Sequence, residues 1–156
     1  MKKIIYFFIL TFFFSTISFA DEKNIQVIDG DTIHIGKYKY RFFGIDAPET
    51  KQVCQKDNIK IQCGVIAKNV LKNKIANKIP VCVVKDKDRF QRLVAECFIG
   101  KESLSKFMVR EGYAVAYVQY SKDFIEDEKY AKENKLGIWA MTFQIPSEYR
   151  KSLRNK

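Results

Sequence analysis

Short runs of alternating apolar and polar residues occupy much of the chain after residue 24. Such alternation is typical of β-strands. It predicts strand structure at 25–28, 32–35, 38–45, 81–84, 93–99 and, in an aromatic-rich run, 113–120. Gly36-Lys37 lies between the second and third runs and predicts a tight turn that makes them an antiparallel hairpin. In that register Arg41 returns towards Asp31, because both residues lie about equally far from the turn.

Apolar residues recur at helical spacing in two other stretches, which predicts helices at 65–76 and 103–111. A third stretch, 123–135, is acidic at its start and basic at its end, which suits the dipole of a helix. Pro80 and Gly112 follow the first two and mark their ends. About five short strands and three helices predict an α+β fold, an OB-fold five-stranded β-barrel with three helices packed on it. We expect one domain over 21–143, with a polar surface loop at 50–62 and a loose C-terminal tail at 144–156.

Residues 1–20 differ from the rest of the chain. Lys2 and Lys3 precede an apolar run, and Ser18 and Ala20 end it with small residues. This pattern predicts a signal peptide cleaved after Ala20 and a secreted or periplasmic protein with no stable membrane association after cleavage. The alternative is an uncleaved membrane anchor, since the run is only just long enough to span a bilayer.

The charge of the chain favours anionic partners. Lys plus Arg number 28 and Asp plus Glu 18, for a formal charge of +10, which falls to +8 when Lys2 and Lys3 leave with the leader. Such an excess favours nucleic acid or an anionic membrane surface. Of the two we favour nucleic acid, and we expect a monomer.

Four cysteines, at 54, 63, 82 and 97, form no C-x-x-C pair, and the chain has one histidine, His34. This set does not complete a zinc site of the usual kind. After export an even count predicts two disulfides, and three pairings are possible. We favour Cys54–Cys63, which brackets one loop, and Cys82–Cys97, which flanks one hairpin.

A single histidine also excludes a two-histidine ribonuclease site, and no G-x-S-x-G elbow is present for a serine hydrolase. Acidic side chains remain, clustered between residues 29 and 49 with one arginine: Asp29, Asp31, Asp46, Glu49 and Arg41. Carboxylates bind hard cations, and a guanidinium binds phosphate. The alternative for the three aspartates is ordinary turn chemistry.

Three stretches taken together, VIDGDT, RFFGIDAPE and DRFQRLVA, resemble the staphylococcal nuclease family over roughly residues 25–140. The resemblance implies an OB-fold and calcium-dependent hydrolysis of DNA and RNA with little sequence specificity, giving 3′-phosphate products. It implies that Asp31, Asp46 and the carbonyl of Ala47 bind Ca²⁺. It further implies that Glu49 positions or deprotonates the attacking water. A non-catalytic basic OB-fold protein that binds nucleic acid is the alternative.

The same resemblance implies that Arg41 and Arg92 bind the phosphate and that Tyr117 and Tyr113 contact the nucleotide. Gln91 departs from the family pattern, which has glycine before the second arginine. A glutamine adopts the left-handed backbone of glycine only at a cost, so we expect this turn to differ. For Tyr113, packing against the core is the alternative role.

Overall fold

The computed structural model describes residues 24–155, so the leader predicted at 1–20 lies outside the described part. Within this part no helix combines the length and the apolar character that crossing a membrane requires. The strands are β1 (Ile25–Val27), β2 (Thr32–Ile35), β3 (Tyr38–Phe42), β4 (Ile45–Asp46), β5 (Cys54–Lys56), β6 (Ile59–Ile61), β7 (Val81–Lys87), β8 (Leu93–Ile99), β9 (Glu102–Ser103) and β10 (Val115–Ala116). The helices are α1 (Cys63–Ile75), α2 (Leu104–Arg110), α3 (Ile125–Glu133) and α4 (Pro146–Arg154), with a 3₁₀ turn at Gly137–Ala140.

The main sheet has the strand order β1-β2-β3-β8-β7, with β9 paired to β8. β3 and β8 are parallel and the other neighbours are antiparallel. The α+β class is confirmed. The closed five-stranded barrel is not found, because no ladder among residues 24–155 joins β1 to β7, and the described helices number four instead of three.

The strand predicted over 38–45 is broken at Phe43-Gly44. Gly44 has φ +72°, a left-handed conformation that glycine adopts readily. Beyond it the chain leaves the main sheet, and β4 pairs with β10 instead. The aromatic run 113–120 contributes only the two residues of β10 to a strand. This break places Asp46 beside a different partner strand from Arg41.

The apolar positions of the predicted strands and helices form one core between the sheet and the helices α1 and α2. Ile33, Phe42, Leu71, Leu104 and Met108 are each at most 1% exposed. Truncating one such side chain to alanine typically costs about 2–5 kcal/mol of stability. The core fixes the ends of β2 and β3, where the acidic residues lie.

Residues 50–62 contain a hairpin, where a surface loop was predicted. β5 and β6 pair across Asp57-Asn58, both of which have positive φ (49° and 63°). Aspartate and asparagine tolerate this conformation better than other non-glycine residues, which makes a two-residue hairpin turn possible. The missed signal was this Asp-Asn dipeptide.

Both predicted disulfides are present. Cys54 and Cys63 have Cα atoms 5.6 Å apart, and Cys82 and Cys97 are directly opposed in the β7–β8 ladder, 4.0 Å apart. All four cysteines of the chain are therefore paired within the described residues.

The C-terminal segment is not a loose tail, and that prediction was wrong. Pro146 begins α4, at the position where proline's fixed φ favours helix initiation. Thr142 and Gln55 exchange two backbone hydrogen bonds of 2.8 Å, and Gln52 Nε2 donates to the carbonyl of Gln144 at 2.6 Å. These contacts attach the segment to the β5–β6 hairpin and fix where α4 begins.

Apolar side chains add to this attachment. A second buried cluster contains the Cys54–Cys63 disulfide, and aromatic and aliphatic residues from the C-terminal segment pack against it: Trp139, Met141, Phe143 and Ile145. The fold thus holds α4 against the acidic end of β4.

Candidate active site

The site begins in the turn before β2. The backbone N–H of Asp31 donates to Asp29 Oδ1 at 3.0 Å, a local turn that orients the two carboxyl groups. In the hairpin Thr32 pairs with Arg41, as the turn at Gly36-Lys37 predicted. Gly30 allows the turn to pack closely, since a Cβ there would lie 2.7 Å from the Cβ of Ala47.

Arg41 joins two carboxylates, one in the turn before β2 and one on β4. Its Nη1 forms an ion pair with Asp31, and its Nη2 donates to Asp46 Oδ1 at 2.9 Å. The side chain of Asp46 is 0% exposed and that of Asp31 is 6% exposed. The carboxyl groups of residues 31 and 46 therefore lie on the same side of the molecule, each bound to a different terminal nitrogen of the Arg41 guanidinium.

Asp31 also connects the site to the next loop. Its Oδ1 accepts from Thr32 Oγ1 at 3.1 Å, and its Oδ2 accepts the backbone N–H of Ala47 at 2.6 Å. Glu49 follows in this loop, and Gly64 at the start of α1 permits its close approach. A Cβ at position 64 would lie 1.8 Å from the carbonyl oxygen of Glu49.

A second arginine lies at the site, and sequence reasoning missed it. Arg150 of α4 donates through Nη1 to Asp46 Oδ1 (2.8 Å) and Glu49 Oε1 (2.9 Å), and through Nη2 to Asp46 Oδ2 (3.0 Å). It brings Glu49 to the carboxylates that Arg41 joins. Pro146 signals the helix that carries Arg150, but no pattern in the sequence shows that this helix lies at the acids.

Burial and mutual repulsion shift the titration of the acids. Burial, and then the charge of Asp31, raise the pKa of Asp29 to about 7. Burial also raises the pKa of Asp46, an effect that the hydrogen bond from Arg150 opposes. Burial alone lowers the pKa of Arg150, but its bonds to Asp46 and Glu49 outweigh this and raise it above the usual value. Both arginines at the site are therefore cationic at any physiological pH.

In chelator, Asp29→Asn should stabilise the protein by about 1–3 kcal/mol at pH 8. The raised pKa means that the folded state binds more protons than the unfolded state between about pH 4 and pH 7. Wild-type stability therefore falls as pH rises through this range. Asparagine removes that loss and keeps an oxygen acceptor for the N–H of Asp31.

Urea unfolding at several pH values measures the effect. The stabilisation should shrink as the pH falls and approach zero below about pH 3, where Asp29 is protonated in both the folded and the unfolded state. An Asp29→Asn variant whose stability gain is independent of pH would contradict this assignment.

The residues fit a hard divalent cation in part. Within 24–155 no group of three or more His, Cys, Asp or Glu side chains is arranged to hold a metal. Asp31 and Asp46, which one guanidinium joins, are the candidate carboxylate donors. The buried carbonyl of Ala47 accepts no hydrogen bond from the described residues and is a further oxygen donor. Ca²⁺ completes such incomplete sets with water. The guanidinium groups of Arg41 and Arg150 supply the positive charge beside these oxygens.

Arg92 is not joined to the carboxylates. Its Nε donates to Asp88 Oδ2 at 2.7 Å, and within the described residues it forms no ion pair with Asp31, Asp46 or Glu49. Burial by itself would raise the pKa of Asp88, but the hydrogen bonds and charge of Arg92 lower it. Gln91 does adopt the left-handed backbone, with φ +63°, so the turn keeps the conformation that glycine would favour.

The two tyrosines have different environments. Tyr117 is half-buried, donates its backbone N–H to the carbonyl of Gly44 at 2.8 Å, and its ring lies 4.8 Å from that of exposed Tyr120. Tyr113 packs against the main core, which is the alternative role that the sequence allowed for this residue. Of the two tyrosines, Tyr117 is therefore the one whose ring contacts an exposed aromatic side chain, that of Tyr120.

Comparison with known proteins agrees with this geometry. The model of the family described as "Staphylococcal nuclease homologue" matches residues 39–141. An "Uncharacterized endonuclease" of Haemophilus influenzae is 30% identical over 162 residues, covering 96% of this chain and 86% of that protein. The rice "Probable staphylococcal-like nuclease CAN3" is 29% identical over 144 residues, covering 89% of this chain and 36% of that protein. "Endonuclease YhcR" of Bacillus subtilis is 32% identical over 146 residues, covering 80% of this chain and 12% of that protein. With its matching sequence and its joined carboxylate and arginine groups, the chain belongs to the staphylococcal nuclease homologue family.

Proposed function

We propose that this chain is an exported, calcium-dependent nuclease that hydrolyses the phosphodiester bonds of DNA and RNA with little sequence specificity. The observation that carries the proposal is the convergence of Asp31, Asp46 and Glu49 on the guanidinium groups of Arg41 and Arg150. Relatives named as nucleases and the net positive charge of the chain support it.

In this proposal Asp31, Asp46 and the carbonyl of Ala47 hold Ca²⁺. The bound ion supplies Lewis-acid polarisation of the phosphate and a template for its orientation. Arg41 takes up negative charge that builds on the phosphate oxygens as water attacks. Its two carboxylate partners hold the guanidinium in place before the substrate arrives, so little reorganisation is needed.

Glu49 is suited to accept a proton from the attacking water. Its side chain is 36% exposed, so water reaches it, and Arg150 holds its Oε1. Its Oε2 accepts no hydrogen bond from the described residues and remains available to a water molecule. The water oxygen bonds to phosphorus, the bond to the 5′ oxygen breaks, and that oxygen takes a proton from solvent. The products are a 3′-phosphate and a 5′-hydroxyl.

The roles of Arg92 and the tyrosines are proposals of the same kind. Arg92 holds Asp88 through Nε, and its terminal nitrogens form no hydrogen bond with the described residues, so they are free to contact a phosphate. The exposed pair Tyr117–Tyr120 offers an aromatic surface on which a base can stack. Tyr113, packed on the core, is the weaker candidate for nucleotide contact.

Export of a monomer, after cleavage following Ala20, is likewise proposed, to the periplasm or the medium. Two disulfides support it, since such bonds persist in oxidising compartments. Sequencing the N-terminus of the exported protein tests the cleavage point.

The test of function incubates the exported, purified protein with plasmid DNA and with RNA, first with calcium and then with chelator. We expect both substrates to be cleaved only with calcium, and end-group analysis to find 3′-phosphates. Cleavage in chelator would contradict the role of calcium. Salt-sensitive binding without turnover under any divalent ion would instead favour a non-catalytic nucleic-acid-binding protein.

A further inference from the structure

Arg150 lies beyond residues 39–141, the part of the chain that the family model matches. Its position does not depend on the acids it binds. Thr142 and Gln144 attach the preceding segment to the β5–β6 region, and the Tyr149 hydroxyl donates to the carbonyl of Lys51 at 3.4 Å. The fold itself therefore delivers Arg150 to the site.

The hydrogen bonds of Arg150 leave one edge of its guanidinium open. A guanidinium has five N–H donors, of which three contact Asp46 and Glu49 through Nη1 and Nη2. Nε–H and the second Nη2 hydrogen lie on the remaining edge and donate to none of the described residues. This edge has the spacing that binds two oxygens of one phosphate. The side chain is 34% exposed, so a ligand can reach it.

The negative charge of the carboxylates at the site favours a second cation there, in addition to Arg41. Asp31, Asp46 and Glu49 each pair with Arg41 or Arg150, and Arg41 alone offsets only one negative charge. Arg92, the second arginine expected from the sequence, is held by Asp88 instead. The carboxylates repel an approaching anionic phosphate, and a guanidinium beside them reduces that repulsion with or without bound calcium.

We propose that Arg150 is a third arginine of the active site, which holds Asp46 and Glu49 with one edge and binds the scissile phosphate with the other. This inference deepens the proposed function and rests on it. In this proposal α4 lines the active site, and the residues that the activity needs extend beyond 39–141, the part that the family model matches.

The test compares Arg150→Ala, Arg150→Lys and Arg154→Ala. Arg154 is an exposed arginine one turn further along the same helix, so its loss removes the same charge without touching the site. Two quantities are measured: kcat/KM for a short oligonucleotide with calcium, and the affinity for the same oligonucleotide in chelator, by fluorescence anisotropy. Arg150→Lys keeps a cation for Asp46 and Glu49, so it stays informative if Arg150→Ala does not fold.

We expect Arg150→Ala to lower kcat/KM by about 10²–10³-fold and to weaken binding in chelator by about tenfold or more. Arg150→Lys should recover only part of each loss, because an ammonium cannot bind two oxygens side by side. Arg154→Ala should stay within about twofold of the wild type in both measurements, since exposed Arg154 forms no ion pair with Asp46 or Glu49 among the described residues.

Three results would overturn the inference: Arg150→Ala matching Arg154→Ala, a fall in kcat/KM with unchanged oligonucleotide affinity in chelator, or an increase in kcat/KM. The second would make Arg150 a positioning residue for Glu49 only, and the third would make it an inhibitory contact. If the wild type cleaves nothing with calcium, the proposed function fails. The affinity measurement in chelator still decides whether Arg150 binds the nucleic acid.

Discussion

Glu49→Gln should lower kcat for phosphodiester hydrolysis by about 10²–10⁴-fold while leaving nucleic-acid affinity nearly unchanged. Glutamine has the same size and keeps an oxygen that can accept the hydrogen bond from Arg150 Nη1, so the geometry at 2.9 Å is preserved. It cannot accept the proton that the attacking water loses. Single-turnover cleavage of a labelled oligonucleotide, with affinity measured in chelator, separates the two effects.

Glu148→Gln is the matched control, because Glu148 is an exposed acid on α4, two residues from Arg150. It should cleave like the wild type. Full activity in Glu49→Gln would remove Glu49 from the mechanism, whereas a parallel loss of affinity would indicate that the site had been distorted.

Arg41→Lys should lower kcat/KM by about 10²–10³-fold and also destabilise the protein in chelator. Arg41 is the group that joins Asp31 and Asp46, and its side chain is 13% exposed. Lysine has a single ammonium group, whereas the two terminal nitrogens of the Arg41 guanidinium each bind one carboxylate. Burial by itself lowers the pKa of Arg41, but the negative charges of Asp31 and Asp46 outweigh it and raise that pKa.

Thermal unfolding with and without calcium tests the predicted loss of stability of Arg41→Lys. The melting temperature of Arg41→Lys should fall in chelator and recover in part with calcium, since a divalent cation can bind both acids that lysine no longer joins. Exposed Arg89 is the control, and Arg89→Lys should change neither activity nor stability. A variant of Arg41 that is as stable as the wild type in chelator would contradict the bridging role.

Local signals predicted much of the fold correctly. The turn at Gly36-Lys37 set the hairpin register and hence the approach of Arg41 to Asp31. An even number of cysteines flanking local segments gave both disulfides. In each case the partners are close in sequence, so local spacing favoured the pairing that the structure has.

The errors arose where longer-range geometry decides the structure. Gly44 ends the pairing of β3 because its positive φ turns the chain, and the alternating pattern on either side hides that break. Arg150 and Asp46 are 104 residues apart, and no local pattern relates them. The helix of Arg150 was itself predictable from Pro146, but its docking against the β5–β6 hairpin was not.

Calcium titration by isothermal calorimetry is the most direct test that the acids of β2 and β4 form a metal site. We predict one calcium ion bound per wild-type chain and no detectable binding by the Asp31→Asn/Asp46→Asn double variant. Circular dichroism checks that the variant remains folded. Equal calcium binding by the folded double variant, or no binding by the wild type, would contradict a calcium centre between these two aspartates.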